Sequence, residues 1–108
     1  MERQRFPYEF ILEGTDWHKL SRLSRFYKWT ITDITAFNSY AVIVAMSMNQ
    51  VGTVIWMMNA YLELRESNFI SGLRSAISMR HQYIARLVIG VFRHRLTTRD
   101  FREIGLYE

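Results

Sequence analysis

Arg86 and Arg93 stand seven residues apart in a chain of 108. That spacing places two guanidinium groups on one face of a helix. Arg74 and His81 repeat it, and Arg95, Arg99 and Arg102 carry positive charge toward the C-terminus. From Ser67 to Arg99 there are six arginines and no acid, and from Trp17 to Thr32 the charges are Lys19, Arg22, Arg25 and Lys28, again with no acid. A guanidinium is planar, permanently charged and shaped to grip phosphate oxygens, so the chemistry implied is anion binding and not bond making. The sequence predicts phosphate contacts from Arg22, Arg25, Arg74, Arg86, Arg93, Arg95 and Arg99. Nucleic acid is the expected partner, RNA favoured, with little sequence specificity because no base-reading element is visible. Arg80 falls on the apolar side of its helix and is expected to pair with Glu63 or Glu66.

The residues that make or break bonds are scattered. His18, His81 and His94 are remote from one another and from acids, and no HExxH motif occurs. Cysteine is absent, which removes thiolate chemistry, disulfides and Cys-based zinc sites. There is no G-x-S-x-G elbow and no glycine-rich phosphate loop. Glu63 and Glu66 lie one helical turn apart but flank Arg65, the pattern of a solvated helix end. The expectation is a protein that is not an enzyme, with no catalytic residue, metal or cofactor.

These side chains must be carried by something rigid. The chain is 49% apolar and 22% charged, with a net charge of +4 and a pI near 9.8, values of a folded chain with an anionic partner. A single proline and five glycines favour long uninterrupted helices over a β-sandwich. The length suits one domain: an N-terminal arm over 1–14, then a helical domain over 15–108. In the arm, Tyr8, Phe10 and Leu12 alternate with Glu9, Ile11 and Glu13, suiting a short extended piece that Gly14 ends. Thr15 or Asp16 caps a helix reaching about Trp29. Thr30 and Asp33 resemble a capping box.

The next helix has no breaker until about Glu66. Ile34, Phe37, Ala41, Val44, Met48, Val51, Ile55, Met58 and Leu62 step by three and four along it, a heptad seam that requires a partner helix. A third helix over 69–95 follows, its Ser71, Ser75 and Ser78 permitting close approach. A short final helix starts at Thr97 and ends at Gly105. The fold expected is all-α: a long antiparallel hairpin with helices of roughly 40–45 Å, a shorter helix before it and a short one after. So long a hairpin needs company, most simply a homodimer closing a helical bundle through the seam.

Residues 36–62 also admit a rival reading as a single-pass inner-membrane span, since they exceed the ~20 residues a bilayer needs. Against it stand Asn38, Asn49, Gln50 and Asn59, amides that lipid cannot satisfy. An intracellular, cytoplasmic setting is favoured: the start MERQRFPYEF is not a secretory signal. A structural adaptor with a protein partner is the third class of reading.

The tail, Leu96-Thr97-Thr98-Arg99-Asp100-Phe101-Arg102-Glu103-Ile104-Gly105-Leu106, resembles the closing motif of the small Arg-rich bacterial proteins of the DUF1127 (YjiS-like) family, roughly L-S-D-R-x-L-x-D-I-G-L. Arg99, Ile104, Gly105 and Leu106 match, Phe101 replaces Leu and Glu103 replaces Asp. The resemblance implies RNA binding. It covers about a tenth of the chain, and the family's second Arg-rich turn is missing here.

Overall fold

The computed structural model describes residues 4–106. Among them the chain is all-helical, with no β-strand: α1 (Pro7–Leu12), α2 (Trp17–Tyr27), α3 (Ile31–Ser47), α4 (Val51–Ala60), α5 (Ile70–Ser78), α6 (Gln82–Phe92) and α7 (Thr98–Glu103), with a 3-10 turn over Glu66–Phe69 before α5. Several predicted ends are confirmed. The Asp16 carboxylate accepts the Lys19 N–H at 3.0 Å, and Asp33 accepts the Thr30 N–H at 2.8 Å. Thr97 and Asp100 cap α7 reciprocally, at 3.1 and 2.9 Å.

The arm is not extended. Pro7, with its preset φ, opens a helix, and the Glu9 carboxylate reaches back to the Phe6 N–H at 2.7 Å. The alternation from Tyr8 to Glu13 misleads because only Phe10 and Ile11 turn into the core, while Tyr8 packs at its edge. The first three residues of the arm lie outside the described residues.

Nor do the two long helices exist. The one expected over 34–66 is cut at Met48–Gln50 and the one over 69–95 at Met79–His81, each cut made by a residue in the left-handed region, Asn49 (φ 56°) and Arg80 (φ 62°). In the first, the Asn49 N–H donates to Met46 O at 3.2 Å and the Gln50 N–H to Ala45 O at 2.8 Å. In the second, Arg80 donates to Ile77 O at 3.1 Å and His81 to Ala76 O at 2.8 Å. Both are Schellman caps, which satisfy the last carbonyls of one helix and turn the chain into the next. Gly14, Lys28 and Gly105 occupy the same left-handed position at the ends of α1, α2 and α7.

The two cuts belong to a repeat. AMSMNQ (45–50) and AISMRH (76–81) share alanine, serine and methionine in register. Around them, Ala41, Val42, Ala45, Thr53, Val54, Met57 and Tyr61 are buried in the first unit. Gly72, Leu73, Ala76, Ile84, Ala85, Val88 and Phe92, each 31 residues later, are buried in the second. The molecule is thus a tandem of two helix–turn–helix units, α3–α4 and α5–α6, with α1 and α2 laid on the first and α7 on α5. It measures 51 × 23 × 20 Å, so its length comes from the tandem and not from one long hairpin.

The units meet where α3 crosses α5. A Cβ on Gly72 would lie 2.6 Å from Met46 Sδ, and the Ser47 and Ser75 hydroxyls hydrogen-bond at 2.6 Å. Gly72 and Ala76 give the close approach, with Ser75 beside them; Ser71 and Ser78 face solvent.

The heptad seam dissolves in the same way. Ile34, Ala41 and Val44 are buried in the chain's own core, and Val51 and Met58 partly so. Phe37, Met48, Ile55 and Leu62 stay exposed. Besides the cut at Asn49, Phe37, Asn38 and Ser39 take left-handed φ values of 58°, 56° and 61°, which rotates the seam out of register. Asn68 holds this strained stretch, donating to Ser39 Oγ at 3.0 Å while accepting the Arg65 N–H at 2.9 Å. Among the described residues no helix is long and apolar enough to cross a membrane, and residues 36–62 do not form one helix.

Candidate functional site

α6 buries Ile84, Ala85, Val88 and Phe92, with Phe92 against Phe69 at 5.0 Å between ring centroids. Its opposite face is set by that choice. Tyr83, Arg86, Gly90 and Arg93 recur at helical spacing and all face solvent, Tyr83 with 68% of its surface exposed. A Cβ at Gly90 would touch nothing within 4 Å, so the strip between the two arginines is open. No acid occurs anywhere in α6. The strip can grip two phosphates and offer one aromatic ring to an unstacked base. Tyr83 was missed in the sequence; its signal was its place three residues before Arg86.

A second strip of the same kind lies on α2. Leu20 is buried, leaving Arg22, Arg25 and Phe26 outward. Because α2 rests on α1 and α4 while α6 rests on α5, the two strips belong to different units of the tandem.

The remaining predicted residues divide. Arg74 is exposed on α5. His81, its expected companion, is not on the basic face: its Nδ1 lies 3.1 Å from Met46 O, tying the start of α6 to the end of α3. Arg99 is exposed and lies 3.8 Å from the Glu103 carboxylate, a surface pair of small energetic weight. Arg95 faces a cleft that Glu63, Arg65 and Glu66 also line. Arg80 makes no ion pair with Glu63 or Glu66. It caps α5 and, with Arg86, borders a groove of about 400 Å³ floored by Ile77, Ala85 and Ile89. Neither Arg22 nor Arg25 lines that groove.

Among the described residues three ionisable groups are displaced from their usual ranges, and none sits on these strips. Arg5 is raised, chiefly by its hydrogen bond to the Glu13 carboxylate. Asp16 is held low, chiefly by the hydrogen bond from the Lys19 N–H. Tyr61 is raised by burial; its hydroxyl donates to Trp29 O at 3.3 Å. Among the described residues no three His, Asp or Glu side chains come together to hold a metal ion.

Comparison with protein-family models, with curated proteins and with solved structures finds no match.

Proposed function

We propose that this protein is a non-enzymatic nucleic-acid-binding module that holds single-stranded RNA by its phosphates and stacks bases with low sequence preference. The observation that carries the reading is the outer face of α6: Tyr83, Arg86 and Arg93 exposed in one strip without an acid on the helix. Arg22, Arg25 and Phe26 on α2 supply a second strip of the same chemistry, and Arg74 adds exposed charge on α5. Arginine next to an aromatic ring suits a single strand, because phosphates take the charge while unpaired bases take the ring.

The test is fluorescence anisotropy with a labelled single-stranded RNA over a series of salt concentrations. Phosphate contacts release counterions, so affinity falls log-linearly with salt at about −0.7 per contact. Arg86→Ala with Arg93→Ala is expected to weaken binding and flatten that slope by about 1.4. Tyr83→Ala is expected to weaken binding without changing the slope, and Tyr83→Phe to restore it. Binding with unchanged affinity and slope in the double-arginine variant overturns the proposal.

A further inference from the structure

Leu62 has 84% of its surface exposed, the most of any large apolar side chain among the described residues. It stands in the turn just after α4 and borders two adjoining clefts, of about 490 and 570 Å³. The first sets the apolar side chains of Met58, Leu64, Val91 and Phe92 beside His94 and Arg95. The second is walled by charges of both signs, Glu63 and Glu66 with Arg65 and Arg95. Among the described residues none of these four charges forms an ion pair; the pairs there are Arg5 with Glu9 and Glu13, and Arg99 with Glu103.

We infer that this face docks a second copy of the same chain. A two-fold contact requires one patch to carry both halves of every interaction, because each residue meets on the partner the residue that meets it in return. The patch satisfies that condition twice. It holds a protruding apolar side chain beside a cleft walled on one side by Met58, Leu64, Val91 and Phe92, so Leu62 of each copy packs against that wall of the other. It also holds unpaired acids beside unpaired arginines, so Glu63 of each copy faces Arg95 of the other. A polyanion does not fit, since Glu63 and Glu66 would repel it; the strip on α6 and the cleft therefore serve different partners. The interface is smaller than a seam along all of α3 and α4, and it spares Ile34, Ala41 and Val44, which the chain already covers.

The experiment is sedimentation equilibrium on the whole chain, nuclease-treated and free of nucleic acid by its absorbance ratio. The wild type is expected to dimerise in the micromolar range. Leu62→Glu, which replaces an exposed side chain and leaves the helical circular dichroism unchanged, is expected to weaken the dimer by about tenfold or more. Glu63→Arg and Arg95→Glu are each expected to dissociate alone, because each places like charges together twice. Mixed, they are expected to form a heterodimer, because both cross-contacts are then opposite in sign. A wild type that remains monomeric, a dimer indifferent to Leu62→Glu, or a mixture of charge variants that fails to pair overturns the inference. None of these results depends on RNA binding, and Arg86, Arg93 and Tyr83 are untouched by the variants.

Discussion

Replacing Arg80 by glycine changes stability in opposite directions depending on whether residues 70–92 form one helix or two. In one continuous helix a mid-helix glycine costs about 1 kcal/mol relative to a good helix former. In the structure Arg80 has φ 62°, where an L-residue other than Asn or Asp is penalised by about 1–2 kcal/mol. Glycine carries no such penalty, but its freer unfolded chain takes back about 0.5–1 kcal/mol. The net expectation is a gain of about 0.5–1 kcal/mol, which for a domain of this size raises Tm by roughly 2–6 °C. Among the described residues the Arg80 side chain makes no ion pair whose loss would offset the gain. Arg80→Ala serves as the control: it keeps the left-handed strain and is expected to leave stability nearly unchanged. Asn49→Gly repeats the test in the first unit with a smaller gain, because asparagine already tolerates this region. Urea denaturation followed by circular dichroism reads all three. A loss of stability in Arg80→Gly, with Arg80→Ala neutral or stabilising, would refute the Schellman turn and with it the division of the chain into two helix–turn–helix units.

Further expectations concern the packing that the turns create. Gly72→Ala improves helix propensity yet drives a Cβ to 2.6 Å from Met46 Sδ, and Met46 is fully buried. The overpacking of about 1–3 kcal/mol outweighs the helix gain, so thermal melts are expected to show net destabilisation that Met46→Ala relieves in a double-mutant cycle. Asn68→Ala removes the hydrogen bond to Ser39 in the strained Phe37–Ser39 stretch and the one from the Arg65 N–H that caps the turn before α5, and is expected to lower stability by about 1–3 kcal/mol, with faster amide exchange at both places. Tyr61, raised by burial, is expected to ionise above the ordinary tyrosine range in a 295 nm titration that compares wild type with Tyr61→Phe. Its contribution is full below the ordinary tyrosine range and is lost as pH rises through the folded value, so alkaline unfolding should begin earlier in wild type than in Tyr61→Phe. The opposite sign applies to Asp16, whose lowered pKa stabilises α2 above the ordinary carboxylate range and is lost in acid.

The helical class, the caps at Asp16, Thr30 and Thr97, and the stop at Gly105 were legible from the sequence, because each depends on side chains within one turn of the backbone they serve. The basic composition of the α2 and α6 faces was legible for the same reason: residue spacing alone decides which side chains share a face. Tyr83 and Phe26 escaped notice because aromatic residues count as core until the opposite face is known to be buried.

The two helix breaks were not legible. Asn49 and Arg80 hold the left-handed position usually given to glycine; asparagine tolerates it but is also found inside helices, and nothing local distinguishes Arg80 from a mid-helix residue. What makes the turns favourable is distant: Gln50 donates to Ile11 O at 3.0 Å, His81 reaches Met46 O, and α3 crosses α5 at Gly72. The heptad pattern from Ile34 to Leu62 failed for that reason. A periodic apolar stripe states that something covers the helix, and only the tertiary fold decides whether that cover is the same chain or another. Here the chain folds back to cover Ile34, Ala41 and Val44 and leaves Leu62 outside. The sequence by itself determined the secondary structure class, the local caps and the charge of each helix face; long-range packing decided where the helices break, which apolar residues are core, and which arginines stand free of acids.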